Sequence, residues 1–226
     1  MNRPTDKPRL SLFCDFDGTI SRRDVGYHLF RRFSGGRTEE LVAQWQAGEI
    51  DTRSCLVAEA GMCKATPSEI HAFLDQIELD RGFAEFVALC ESNRVDLTIL
   101  SEGLDFYINH ILKRYGLQHL TVSANHGYLE DNTVKVKFLR ENKTCQRCGS
   151  CKGERIREYR ESQTEDVMAV FVGDGLSDIC AMNEADLVFA KKDLEQHCRM
   201  NNIDYVSYDY FDDVTGNLIE RGLLTP

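Results

Sequence analysis

Four short apolar runs, at 10–16, 95–100, 167–172 and 187–190, alternate with segments whose apolar residues recur at helical spacing, and this alternation leaves few ways to fold. Each run is rich in Val, Ile, Leu or Phe, the composition of strands buried on both faces. A weaker strand-like run covers 203–207. The helical patterns fall at 83–91, 104–115, 154–161, 177–184 and 194–201. Strand and helix in turn predict an α/β layer fold: a parallel sheet covered on both faces, with ligands gathering beyond the carboxyl ends of the strands.

One stretch breaks the alternation. Between 21 and 80 there is no strand pattern, only amphipathic segments at 25–33, 38–47, 52–62 and 68–76, punctuated at 34–36 and 65–67. We expect an inserted all-helical cap at 22–80 and a core domain built from 1–21 and 81–226, within reach of a 226-residue chain. A second irregular region, 121–138, alternates polar and apolar residues around Asp131 and Asn132 and predicts a β-hairpin.

The strand ends carry acid. In FCDFDGTIS the first apolar run delivers Asp15 and Asp17, and two such close carboxylates are costly without a cation or a proton between them. The run at 167–172 leads into VGDGLSD, bringing Asp174 and Asp178 to the same sheet edge. Convergent carboxylates of this kind suit a hard divalent cation, and Mg²⁺ fits best because it takes few protein oxygens. The 95–100 run ends at Ser101, Glu102 and Gly103, while Lys152 opens the helix that precedes the 167–172 strand.

That ordered set, DxDGT, a strand-end Ser, a Lys and GDGxSD, resembles the haloacid dehalogenase superfamily of phosphohydrolases over nearly the whole chain. The resemblance implies a Rossmann-like core and a Mg²⁺-dependent phosphomonoesterase acting on a small phosphorylated metabolite. Asp15 would be the nucleophile, needing no base because it is ionised at neutral pH. Asp17 would offer its main-chain carbonyl to the metal and its side chain to the protons of the leaving alcohol and the attacking water. Asp174 would complete the metal set, with Asp178 beside it. Gly18, Thr19, Ser101, Glu102, Gly103 and Lys152 would surround the phosphate. The helical insertion points to the phosphoserine-phosphatase-like branch. Within it, the CGxCK stretch is similar to methionine-salvage phosphatases acting on 2-hydroxy-3-keto-5-methylthiopentenyl-1-phosphate. Phosphocholine and phosphoethanolamine phosphatases also carry cysteines ahead of this lysine. Here Ser101–Gly103 reads SEG where relatives commonly read SGG.

Each feature also has a plainer reading. A DxD can be a solvated turn, Ser101 a helix cap, and Lys152 a surface lysine with Lys143 as the alternative in the site. Asp24, Tyr27 and His28 either look into the pocket or serve structure, and Trp45 is expected to pack inside the cap. Six cysteines, Cys14, Cys55, Cys63, Cys90, Cys180 and Cys198, occur singly and read as reduced, buried apolar groups. Cys145, Cys148 and Cys151 have zinc-ligand spacing without a fourth ligand, the nearest histidine on that side being His126; the alternative is a loop that presents Lys152. A silent metal-binding scaffold of the same fold is the rival to an enzyme. A net charge of −10 argues against nucleic acid as a partner. No run reaches membrane-spanning length, and MNRPTDKPRL lacks the apolar segment of a signal peptide, so a cytoplasmic location is expected.

Overall fold

The structure is a computed structural model that describes residues 8–226, so most of the stretch read for a leader lies outside the described residues. Its sheet has seven strands in the order β4-β3-β2-β1-β5-β6-β7. These are β1 (Arg9–Cys14), β2 (Asp96–Leu104), β3 (Thr121–Glu130), β4 (Thr133–Lys137), β5 (Val167–Gly173), β6 (Leu187–Ala190) and β7 (Val206–Ser207). All neighbouring pairs are parallel except β3 and β4. The expected hairpin therefore exists, turning at Asp131 and Asn132, both of positive φ, but it extends the main sheet through β3.

β1 is central, and its alternation of side chains builds two cores. Leu12 and Cys14 join one apolar cluster with Val170 and Val172 of β5; Phe13 joins the other with Ala169 and Phe171. Helices cover both faces: α5 (Phe83–Ser92), α6 (Asp105–Arg114) and α10 (Phe211–Glu220) on the first cluster, α7 (Lys152–Ser162), α8 (Ile179–Met182) and α9 (Lys192–Met200) on the second. Helix α10 has no counterpart in the sequence reading, although Phe211, Val214 and Leu218 give it a buried stripe at helical spacing. Phe211 sits between Phe83 and Phe86, with ring centroids 4.9 and 5.1 Å away.

Register sets the site. Cys14 lies opposite Ile99 on one side and Val172 on the other, so Asp15, Asp174 and, still within β2, Ser101 are brought to one edge of the sheet. This is also where the order of strands reverses, with β2 on one side of β1 and β5 on the other.

Four helices follow β1: α1 (Val25–Ser34), α2 (Glu39–Gln46), α3 (Thr52–Met62) and α4 (Pro67–Leu74). Local signals fix their starts. Asp24 caps α1 through Tyr27 N, Asp51 caps α3 through Ser54 N, and Thr66 with Glu69 forms a capping box ahead of Pro67 in α4. The chain enters and leaves this segment side by side, with Ser21 bridged to Leu79 and Asp80 N donating to Ile20 O at 2.7 Å. Residues 63–65 also bond to the β3–β4 hairpin, with Ala65 N on Asn132 O and Val134 N on Cys63 O. Truncating the fully buried ring that locks α10 down, in Phe211→Ala, is expected to cost about 3–5 kcal/mol in chemical denaturation. A loss below about 1 kcal/mol would show that α10 contributes little to the core.

Candidate active site

β1 ends at Cys14, two residues earlier than its apolar run implies, and the chain then turns sharply through Phe16–Ile20. Gly18 makes the turn possible: its φ is +81°, and a Cβ there would lie 2.4 Å from Asp174 Oδ2. Because the backbone turns, Asp15 and Asp17 line the same cavity yet have different partners.

Asp15 Oδ1 accepts from Lys152 Nζ at 2.6 Å, and the same ammonium donates to Asp178 Oδ1 at 2.5 Å. Lys152 is only 1% exposed, a burial that a cation withstands only when paired. Burial disfavours its charge, but Asp15 and Asp178 outweigh that and hold its pKa above the ordinary lysine range. Asp178 Oδ2 accepts from the Asp174 and Gly175 N–H groups at 2.9 and 3.0 Å, which fixes the turn that carries Asp174. Asp174 in turn accepts from Thr19 Oγ1 at 3.2 Å and from Lys192 Nζ at 2.7 Å.

Asp17 points elsewhere. Its Oδ1 accepts from Val25 N and Gly26 N at the start of α1, and its Oδ2 from the Tyr107 hydroxyl at 2.8 Å and Ser101 Oγ at 3.3 Å. Burial raises its pKa, partly offset by those hydrogen bonds, chiefly from Tyr107. Asp15 is raised by burial and then by Asp178, with Lys152 opposing. Carboxylate oxygens of Asp15, Asp174 and Asp178 lie within 4.8 Å of one another, whereas the Asp17 side chain is not in that group. Oxygen donors this close, in surroundings that resist further negative charge, fit a small hard cation.

Most residues proposed from the sequence meet here: Asp15, Asp17, Gly18, Ser101, Glu102, Gly103, Lys152 and Asp174 all line one cavity of about 610 Å³. Gly103 N donates to Ser101 Oγ at 2.9 Å. Thr19 is fully buried behind the cavity wall, on Asp174. Glu102 departs from a plain phosphate-binding role, since its Oε2 accepts from Gly149 N at 3.0 Å, its Oε1 has no partner, and burial lifts its pKa to about 7. Lys143 does not reach the site; its Nζ is 3.7 Å from Glu161 on the surface. Asp24 and Tyr27 line the cavity, and His28 is not among the lining residues. Trp45 corrects expectation, because it lines the cavity with its Nε1 donating to Thr52 Oγ1 at 3.1 Å instead of filling a separate core.

Three participants were missed. Lys192, of positive φ just after β6, bonds both Asp174 and Gly18 O; Tyr107 holds Asp17; and Glu59 faces the cavity from α3. A KK pair after a strand and a tyrosine inside a helix give no warning of either role. Glu59 was discoverable as an acid on the apolar side of α3.

A family model described as haloacid dehalogenase-like hydrolase matches residues 12–183, which take in both aspartate motifs, Ser101 and Lys152. The chain belongs to the haloacid dehalogenase-like hydrolases. It is a phosphatase-type member. Similar proteins include the 2-hydroxy-3-keto-5-methylthiopentenyl-1-phosphate phosphatases of Bacillus mycoides (strain KBAB4) and Bacillus cereus (strain B4264), each 27% identical over 216 residues, covering 92% of this chain and 95% of the relative. Among solved structures, a phospho-aspartyl intermediate analogue of phosphoserine phosphatase matches with a TM-score of 0.71 at 20% identity, over 94% of this chain and 99% of the other. A hydrolase of the same family from Salmonella enterica serovar Typhi, t0658, also has a TM-score of 0.71, at 19% identity over 92% of this chain and 71% of the other. These structural likenesses establish the shared fold. No helix among the described residues is long and apolar enough to cross a membrane.

Glu59 yields a pH prediction. It is 8% exposed, Oε1 has no partner, and burial raises its pKa from 4.5 to about 7. The unfolded chain gives up this proton near pH 4.5 and the folded chain only near 7, so stability falls as pH rises between them. Glu59→Gln is therefore expected to stabilise the protein at pH 8 by about 3 kcal/mol and hardly at all at pH 4.5, measured by urea denaturation. Equal effects at both pH values would contradict the assignment.

Proposed function

We propose that the protein hydrolyses a small phosphate monoester with Mg²⁺, through an acyl phosphate formed on Asp15, beneath a helical cap formed by residues 22–80. The reading is carried above all by the Asp15–Lys152–Asp178 contact, which sets a carboxylate at the cavity floor with one oxygen tied to an ammonium and the other free to attack. Asp15, Asp174 and the main-chain carbonyl of Asp17 would hold Mg²⁺, whose charge would offset that of the phosphate.

The steps follow from the residues. A free Asp15 oxygen attacks phosphorus as the ester P–O bond breaks, and Asp17, held away from Lys152 by Tyr107 and Ser101, delivers a proton to the departing alkoxide. Lys152 and Ser101 hold the transferring oxygens in fixed positions, so stabilisation is built in before the reaction. Water then attacks the phosphorus of the acyl phosphate, Asp17 takes its proton, and Asp15 is restored with release of inorganic phosphate. A cap over the site would exclude stray water during the first step.

The far wall bears on the substrate. Phe30, Trp45 and Leu56 make it apolar, which suits the methylthio end of 2-hydroxy-3-keto-5-methylthiopentenyl-1-phosphate, the compound named for the Bacillus relatives. A second reading, a phosphoamine such as phosphoethanolamine or phosphocholine, draws support from Asp24, Glu39 and Glu59 beside Tyr27 and Trp45, a set that suits a cationic head group. Phosphoserine fits less well, because the lining includes no arginine to meet its carboxylate.

Purified protein is expected to release phosphate from an aryl phosphate only with Mg²⁺, and Asp15→Asn to lower kcat by roughly 10³-fold or more. Across a panel of metabolites, the highest kcat/KM is expected for the methylthio keto-phosphate. Wild-type turnover by Asp15→Asn would refute the nucleophile, and a preference for phosphocholine or phosphoethanolamine would favour the second reading.

A further inference from the structure

The fourth ligand that the CxxCxxC segment lacks in sequence is supplied by the fold. Cys180, read from the sequence as an isolated buried thiol, lies with Cys145, Cys148 and Cys151, and all four sulfurs fall within 4.8 Å of one another. His126 is engaged elsewhere, its Nδ1 on Asp105 Oδ2 at 2.8 Å. We propose that these four cysteines bind one zinc ion, separate from the carboxylate site.

The donor chemistry selects the metal. Four sulfurs around one point form a soft tetrahedral set, which suits zinc and is unsuited to magnesium. With Zn–S bonds of about 2.3 Å, tetrahedral sulfurs stand about 3.8 Å apart, within the 4.8 Å that bounds the separations here. Every cysteine in the group is a free thiol, and none is committed to a disulfide. Cys148 and Cys151 are buried while Cys145 and Cys180 are partly exposed, so an ion can enter from solvent and then be shielded from it. Four protein ligands leave no open position, which makes the site structural.

The surroundings are built around it. Residues 138–151 contain no helix or strand, and a stretch of that length packs poorly without a core of its own. It is held at both ends of the cluster: Asn142 accepts from Cys151 N at 3.2 Å and donates to Cys148 O at 2.8 Å, while Glu154 accepts from Thr144 N and Cys145 N at 2.8 and 2.6 Å. Outer hydrogen bonds of this kind orient metal ligands.

The ion's location gives it a purpose. Cys151 directly precedes Lys152, and Cys180 comes two residues after Asp178, so one tetrahedral centre ties together the two segments whose side chains form the buried ion pair. The segments already touch: a Cβ on Gly153 would lie 2.3 Å from Cys180 O. Zinc would fix the start of α7 against α8 and thereby seat Lys152.

The test uses the full chain expressed with zinc, iron and magnesium available, freed of loose metal by gel filtration and analysed by plasma mass spectrometry. The expected result is about one zinc per chain. Cys145→Ser should fall to near zero zinc, whereas Asp174→Asn should keep it. Because Cys145→Ser could fail to fold, wild-type protein exchanged with Co²⁺ provides a second reading, with the intense thiolate-to-cobalt absorption of a tetrahedral sulfur site expected. Absence of zinc, iron in its place, a disulfide within the group, or zinc retained by Cys145→Ser but lost from Asp174→Asn would each overturn the proposal.

Discussion

A lysine ammonium buried between two carboxylates is the constraint on which the rest of this molecule depends. Lys152 starts α7, Asp15 follows the central strand and Asp178 lies in the turn after β5, so three segments distant in sequence must meet within hydrogen-bond distance. A charge so deeply buried is tolerated only with its partners in place, and a strand or helix shifted by one residue would strand it. The contact propagates outward. Asp178 shapes the 174–175 turn with its second oxygen, that turn presents Asp174, and Asp174 receives Thr19 and Lys192. The acidic side of the cavity is thus held in place by the protein's own hydrogen bonds.

The opposite wall follows different physics. Its aromatic and aliphatic side chains come from helices that follow β1, anchored by paired chain segments at 20–22 and 78–80 and by the bonds of 63–65 to the β3–β4 hairpin. The two walls are not independent, because Val25 N and Gly26 N at the start of α1 donate to Asp17 Oδ1. Glu59 shows the cost of this arrangement: a buried acid facing a cavity with one oxygen unpaired and only the Cys55 thiol on the other lowers stability at neutral pH, a sacrifice typical of functional surfaces.

Much of this was legible in the chain. The sheet was readable because strands buried on both faces are short continuous apolar runs, and the four helices after β1 because their caps and apolar stripes are local. The acids were readable because Asp15, Asp17, Asp174 and Asp178 sit at or shortly after the ends of such runs. What sequence could not supply was direction and distance. The turn after Cys14 sends Asp17 to Tyr107 and Ser101 while Asp15 faces Lys152, a divergence that spacing alone does not reveal. Cys180 joins the other thiols only because α7 and α8 pack together, and Lys192 reaches Asp174 only because β6 neighbours β5. Helix α10 was overlooked for another reason: its acidic and aromatic residues obscured a plain buried stripe.

Covalent chemistry at Asp15 is the central claim. It can be observed by quenching turnover in acid, reducing the trapped acyl phosphate with borohydride and locating the modified residue by peptide mass spectrometry. Conversion of residue 15 to homoserine, dependent on substrate, is the predicted result; modification at Asp17 or Asp174, or none during active turnover, would contradict it.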